Sequence, residues 1–349
     1  MFNTKNDKHN FGQSVSIGLN NKIFKPRCLF WEWLFLSENK LRNYLNEIYI
    51  DDISIMSNWP TLEFTSIDNF NTGYVDYLIL NPIYEISLIN CKKIGFTYAL
   101  LLWFGIGDLH DENVVAGINS KGDFIFSPID IELIFENNAL LTQALLLESD
   151  DLESNLSGSN KIRKFITNGF QIIEICKGFS KAIESLNIHR NKILEILEYY
   201  LDIYKPKIRK VIRSTMEYQK ILEKNSIAEN ATLNYSEKIQ LNRGDIPYFF
   251  RFLESKDLYY FDQPNNTSKL TNQMFDLGNK KQIESLMRDQ ICYPNKSHLN
   301  KIVKFNLLQI IDRLSNREFV EAVGHDFIVY KNQNSIILMY DDIKIKSYA

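Results

Sequence analysis

GDLHDENVVAGINSKGDFIFSPIDIE, residues 107–132, is the stretch on which the reading of this chain turns. Asp108, His110 and Asn113 fall within six residues. A short apolar run, VVAGI, follows them, then a turn at Gly122, then FIFSPID, which ends at Asp130 and Glu132. Two apolar runs about a glycine turn predict a small hairpin. The segment before it, Ile94–Phe104, is strongly apolar and reads as a buried helix. The pattern therefore loads both ends of one hairpin with hard oxygen donors, the type that magnesium prefers.

Working outward, Ser14–Lys25 (SVSIGLNNKIFK) alternates about Asn20–Asn21 and predicts a hairpin that Pro26 terminates. Trp33, Leu34, Leu41, Tyr44 and Leu45 recur at helical spacing, which predicts a helix over Trp31–Tyr49. Residues 50–90 hold the short β-prone pieces ISIM, LEFTSI and YVDYLIL. Ser149–Asn160 is polar and expected to be an exposed loop, and Lys161 to about Leu222 carries a helical pattern. FIVYKNQNSIILMYDDIKIK, near the end, reads as strand, turn, strand. The order predicts an α+β chain of kinase-like, two-lobed outline. Its β-rich N-lobe would be residues 1–100 and its mainly helical C-lobe residues 101–349.

Composition narrows the setting more than the chemistry. The 349 residues are 45% hydrophobic and 24% charged, with a net charge of −3. No basic excess points to nucleic acid. The N-terminal MFNTKNDKHNFG has no apolar signal core, and the run Phe96–Ile106 is too short to span a bilayer. A soluble, cytoplasmic protein with no membrane span is expected. Cys28, Cys91, Cys176 and Cys292 have no zinc-ligand spacing and read as reduced, buried thiols.

Phosphoryl transfer needs a carboxylate near the attacking hydroxyl, oxygen ligands for magnesium and a cation on the nucleotide phosphates. In protein kinases the catalytic Asp precedes a metal-binding Asn by five positions, and a second metal-binding Asp follows. Asp108 and Asn113 have that spacing, and Asp130 follows after the turn. His110 could orient a carboxylate or donate to a phosphate. Lys25, at the end of the first hairpin, is the candidate cation.

Several segments together resemble one family, the dehydratase domain of class II lanthipeptide synthetases, the LanM type. Asp7-Lys-His9 with Gly12 resembles its D-x-H-x-x-G, and Lys25-Pro26-Arg27 its K-P-R. Asp108-Leu-His110-Asp-Glu-Asn113 resembles its D-x-H-x-x-N, and Asp130-Ile-Glu132 its D-x-E. Arg209 to Tyr218 resembles its R-x-x-x-R-x-T-x-x-Y, and Gly244 to Phe249 its G-D-I-P-x-F. The six segments follow the family's order across most of the chain. The stretch after Trp59 loosely resembles the family's Trp-and-Glu segment, which suggests Glu63 as the partner of Lys25.

The resemblance implies a lipid-kinase-like fold and a two-step reaction. Ser or Thr of a precursor peptide rich in Ser, Thr and Cys is phosphorylated from ATP with Mg2+. Phosphate is then eliminated to leave dehydroalanine or dehydrobutyrine. It assigns Lys25, Asp108, His110, Asn113, Asp130 and Glu132 to nucleotide, magnesium and phosphoryl transfer, with Asn113, Asp130 and Glu132 as the metal ligands. Asp7, His9, Arg209 and Thr215, with Arg213 beside them, match the elimination segments. On an unbroken helix Thr215 lies about 200° round from Arg213, so the helix is expected to end or bend near Arg213 if Arg209 and Thr215 share a phosphate. The G-D-I-P-x-F segment is expected to be a structural turn with inward aromatics.

Two departures qualify the resemblance. The D-x-H segment begins at residue 7, without the long segment that usually precedes it, and no Cys-His-Gly of the family's zinc cyclase occurs. A short stand-alone chain that closes no thioether rings is expected, with a separate cyclase left open as a partner. A kinase of this fold that stops at phosphorylation, and a non-catalytic peptide-binding relic, remain as alternatives.

Overall fold

The computed structural model describes residues 8–18, 21–136, 140–148, 156–228, 230–252, 257–261, 268–270, 296–314, 320–323, 327–332, 335–340 and 343–348. Asp7 and Cys292 lie outside them. The chain opens with β1 (Ser16–Ile17), β2 (Lys22–Lys25), α1 (Phe30–Leu36), α2 (Lys40–Asn46), β3 (Tyr49–Ile50), β4 (Ile53–Ser54), β5 (Phe64–Ile67) and β6 (Thr72–Asp76). The middle holds α3 (Leu88–Trp103), β7 (Val114–Ile118), β8 (Phe124–Pro128), α4 (Asn160–Arg163), α5 (Gly169–Ile188) and α6 (Arg190–Tyr204). Then follow β9 (Ile208–Lys210), α7 (Thr215–Glu223), α8 (Tyr235–Asn242), β10 (Phe249–Arg251), β11 (Tyr259–Phe261) and β12 (Ser268–Leu270). The last elements are α9 (Lys296–Leu314), β13 (Val320–Val323), β14 (Phe327–Asn332), β15 (Ser335–Tyr340) and β16 (Ile343–Tyr348). Helices and small antiparallel sheets are thus mixed along the chain, and its second half carries two four-stranded sheets.

Two compact units form, each from separated segments. The first comprises residues 1–33, 62–78 and 198–285. It holds the sheet β1-β2-β6-β5 and the sheet β12-β11-β10-β9. The first of these contains the expected hairpin, with Ser16 opposite Phe24. In the second, alternation sorts the aromatics to two faces. Tyr248, Phe250 and Phe261 cluster on one side, and Phe249, Leu258 and Tyr260 on the other.

The second unit comprises residues 34–61, 79–197 and 286–349. Its centre is the pair α3 and α5. They approach backbone to backbone because both carry glycine at the crossing: a Cβ on Gly95 would meet the Ile175 carbonyl oxygen at 2.2 Å, and one on Gly178 the Lys92 carbonyl oxygen at 2.2 Å. Cys91, Ile94, Phe96, Tyr98 and Leu100–Leu102 of α3 are buried. The Thr97 hydroxyl of α3 donates to the Phe126 carbonyl at 3.2 Å, which ties β8 to this helix. The β7–β8 hairpin pairs Val114 with Pro128 and Ile118 with Phe124.

Three local expectations change. The helix expected over Trp31–Tyr49 is two, α1 and α2. Asn39 interrupts it, its side chain accepting from the Leu41 and Arg42 amides as the N-cap of α2. The helical stretch from Lys161 breaks at β9, so Arg209 lies on a strand and only Thr215 onward is helical again. Ser149–Asn160 is not wholly an exposed loop: Ser157 and Ser159 are buried, and Ser159 bonds the Tyr98 hydroxyl at 2.7 Å. Residues 149–155 lie outside the described residues. Cys28, Cys91 and Cys176 are buried. No helix among the described residues is long and apolar enough to cross a membrane.

Candidate functional site

In the second unit the hairpin of residues 107–132 brings its polar groups together through the backbone. Asp108 sits at φ 59°, a left-handed conformation that costs a non-glycine residue energy and recurs at functional turns. The turn is closed by the Asn113 side-chain amide, which donates to the Asp108 carbonyl at 2.8 Å. With its nitrogen so used, the amide oxygen of Asn113 is the end left to a cation. The Asn113 carbonyl in turn accepts from the Ile129 amide at 2.9 Å, which sets Asp130 and Glu132 beside the 108–113 turn. Gly107 N–H donates to the Leu133 carbonyl at 3.0 Å and closes the other side. His110 Nε2 lies 3.9 Å from Asp108 Oδ1, and its Nδ1 accepts from the Glu112 amide at 3.3 Å. The turn is backed by Gly158, where a Cβ would meet the Leu109 carbonyl oxygen at 2.5 Å.

The donor set suits magnesium by chemistry: one amide oxygen and two carboxylates, all hard. Among the described residues no three His, Cys, Asp or Glu side chains form a cluster able to hold an ion. Magnesium does not require one, since it is commonly held by one or two protein carboxylates, with phosphates and water completing its octahedron.

In the first unit Lys25 is a buried lysine, and its Nζ pairs with Glu32 Oε2 at 2.8 Å. Arg27 Nη1 pairs with the other oxygen of the same carboxylate, Oε1, at 2.7 Å. One fully buried carboxylate on α1 therefore holds both cations of the K-P-R segment. Glu63, suggested as the partner of Lys25, is instead exposed and lies 3.8 Å from Lys22. The reason is register: Lys22 stands opposite Asp76, at the solvent end of the sheet near Glu63, while Lys25 stands opposite Gly73. Lys25 belongs to the first unit, Asp108 and Asp130 to the second.

The first unit also brings His9 and Arg209 to one aromatic ring. His9 meets Tyr248 edge-on at 5.8 Å between ring centroids, and the Arg209 guanidinium lies over the same ring at 5.4 Å. His9 Nδ1 bonds the Ile246 carbonyl at 2.8 Å, and the Ile246 amide donates to the Lys8 carbonyl at 2.7 Å. Asn10, Phe11 and Gly12 all have positive φ, and successive amides in such a run form a concavity for an anion. The anion here is internal: the Asp245 carboxylate accepts from Phe11 N–H at 2.9 Å and Gly12 N–H at 2.7 Å. Arg243 Nε pairs with the same carboxylate at 2.6 Å while its guanidinium covers the Phe11 ring at 4.0 Å. The D-x-H-x-x-G and G-D-I-P-x-F segments are thus two halves of one local structure.

The R-x-x-x-R-x-T-x-x-Y segment divides in the same manner. Arg209 faces Tyr248, but Arg213 points to a different place. Its Nε pairs with Glu237 at 2.9 Å, its Nη1 with Glu217 at 3.0 Å, and its Nη2 donates to the Thr232 carbonyl at 2.6 Å. Burial opposes that charge, yet the two carboxylates hold the Arg213 pKa above its ordinary value. Tyr218 donates to the same Glu237 oxygen at 2.8 Å, and burial together with that carboxylate pushes its pKa up. Thr215 is the first residue of α7, after the N-cap Ser214. The chain turns between Arg209 and Thr215, so the two are not on opposite sides of one helix.

Sequence reading passed over Glu32 and Glu237, and took Asp245 and Tyr248 for structural residues of a turn. Glu32 had a signal, a lone acid in the apolar run FWEWLFL seven residues after Lys25. Comparison with protein-family models and with curated proteins finds no match for this chain.

Proposed function

We propose that this chain is a lanthipeptide-type dehydratase of two-lobed, lipid-kinase-like fold. It phosphorylates Ser and Thr of a precursor peptide from ATP and then eliminates phosphate. The observation that carries the reading is the 107–132 hairpin: one turn holds Asp108, His110 and Asn113, and its backbone bond to Ile129 sets Asp130 and Glu132 alongside. A binding module has no need of that many acids on one turn. Asp108 would accept the proton of the attacking hydroxyl, and His110 would orient that carboxylate. Asn113, Asp130 and Glu132 would hold magnesium, which supplies charge neutralisation on the transferring phosphoryl group when bound. Lys25, aimed by Glu32, would serve the nucleotide phosphates.

For elimination, a base must take the Cα proton while charge builds on the departing phosphate. His9 and Arg209 meet on Tyr248, which puts a titratable ring and a permanent cation within one small area. Asp7 and Thr215 belong to the same proposal by resemblance, and Arg213 by the support it gives to α7 and α8. The protein would work in the cytoplasm, where ATP and unmodified precursor are found.

The test is mass spectrometry of a Ser/Thr/Cys-rich precursor incubated with the protein, ATP and magnesium. Loss of water supports the dehydratase. A gain of phosphate with no further loss supports a kinase of the same fold. An unchanged peptide with ATP unconsumed overturns both.

A further inference from the structure

A cavity of about 300 Å3 in the first unit is lined by Cys28, Asn69, Asn71, Tyr204, Lys207 and Phe252, among others. Lys207 is the feature that singles it out. The residue is only 7% exposed. Its ammonium lies 4.8 Å from the Phe250 ring centroid and 4.4 Å from that of Phe261. One N–H goes to the Asn71 side-chain oxygen. Among the described residues no carboxylate pairs with it; Asp68 stands one residue removed, accepting from the Asn71 amide at 3.1 Å. An ammonium has three donors, and burying its charge beside a single neutral acceptor is costly. Burial pulls its pKa down to about 8, against a smaller opposing influence of Cys28 and Asp68.

The surroundings indicate what would relieve that cost. Lys207 immediately precedes β9 and Arg209 lies within it, and both cations rest on the cluster of Tyr248, Phe250 and Phe261. Both ride one aromatic cluster: Arg209 covers Tyr248, and Tyr248 stacks on Phe261 with ring centroids 6.4 Å apart and planes at 20°. A buried cation on an apolar floor, with the Asn69 and Asn71 amide side chains at the cavity wall, matches the needs of a compact oxyanion, and Arg209 continues the same aromatic cluster outside the cavity lining.

We propose that this cavity is a subsite for a phosphate group, with Lys207 as the cation that binds it. The proposal rests on the dehydratase reading only for the source of that phosphate, a phosphoserine or phosphothreonine of the peptide. Lys207 would then hold the leaving group, with Arg209 on the same aromatic cluster.

Calorimetry on the full chain without nucleotide tests it apart from catalysis. The probes are inorganic phosphate, a phosphoserine peptide and its unphosphorylated counterpart. Wild type is expected to bind the first two, and Lys207→Met to weaken both by at least about tenfold. Binding of phosphate alone supports the subsite and assigns it to the free ion. Affinities within about twofold of each other for wild type and variant overturn the proposal, as does no binding by wild type at millimolar phosphate. A second measurement needs no variant: acylation of amines followed by peptide mass mapping. Phosphate should protect Lys207 from the reagent, and unchanged labelling at saturating phosphate overturns the assignment. Failure here leaves phosphorylation of the precursor intact, and failure of dehydration leaves phosphate binding intact.

Discussion

The 107–132 hairpin and the aromatic face of β9–β12 gather polar groups by opposite means. The hairpin relies mainly on bonds within residues 107–133, backed by Gly158. A turn closed by Asn113 and one bond from the Ile129 amide bring the backbone that carries Asp130 beside the turn that carries Asp108, His110 and Asn113. The sheet face assembles His9, Arg209 and Tyr248 from three segments far apart in sequence, and each arrives through a partner of its own. His9 is anchored to the Ile246 carbonyl, the Phe11–Gly12 amides to Asp245, and Arg209 stands opposite Phe250 in the ladder. A site built locally should lose chemistry when one carboxylate is neutralised, yet keep its fold. A site built from distant pieces should be more sensitive to the buried ions that hold the pieces.

The largest effect expected is on the hairpin. If the proposed function holds, Asp130→Asn should slow phosphorylation by about 10³-fold or more, since it would remove a charge proposed to hold magnesium where little else supplies catalysis. Its unfolding free energy should change by less than about 1 kcal/mol. Transfer of radiolabelled phosphate to the precursor, with urea unfolding alongside, checks both halves. Near-normal transfer would remove the hairpin from the mechanism.

Glu32→Ala should give the reverse profile. It leaves Lys25 and Arg27 buried without the carboxylate that joins them, and loss of one partner from a buried ion network costs roughly 3–5 kcal/mol. Urea unfolding should show that loss directly. A change under about 1 kcal/mol would mean that the pair is solvated and that Glu32 does not hold Lys25 in place.

Arg209→Ala tests the sheet face. On the proposed function, dehydration should fall by about 10²-fold, with phosphopeptide accumulating, because the cation proposed to face the leaving phosphate is lost while the hairpin is untouched. Intact-mass analysis over time separates the two species. Full dehydration at the normal rate would take Arg209 out of the elimination step.

What the sequence made legible follows the same division. The hairpin was readable because its two apolar runs, its turn and its acids lie in one window, and so was the first hairpin ending at Lys25. The break of the Trp31–Tyr49 helix was not, since apolar periodicity continues through it and only the Asn39 cap marks the boundary. Arg209 and Arg213 looked alike as an i, i+4 pair. Only pairing of Ile208–Lys210 with Phe249–Arg251, a long-range event, sends one to Tyr248 and the other to Glu237. Asp245 looked like a turn residue, and its bonds to Phe11 and Gly12 depend on contacts that no local window contains.

The smallest effect expected is a pH dependence set by Lys207. Its pKa is about 8 in the folded protein against 10.5 for an ordinary lysine, with burial as the main cause. Below pH 8 both folded and unfolded forms carry the proton, and the folded form bears the full cost of a buried charge. Between pH 8 and 10.5 the folded form releases its proton first, the unfolded chain holds more protons, and stability rises with pH. The shift corresponds to roughly 3 kcal/mol at most, and the attraction of the ammonium to Phe250 and Phe261 offsets part of it. Lys207→Met should therefore be more stable than wild type by about 1–3 kcal/mol near pH 7, with the advantage fading by about pH 10.5. Urea unfolding across that range gives the difference directly. A constant difference would mean that the amine keeps its water, and the cavity would then lack the desolvated cation that draws an oxyanion into it.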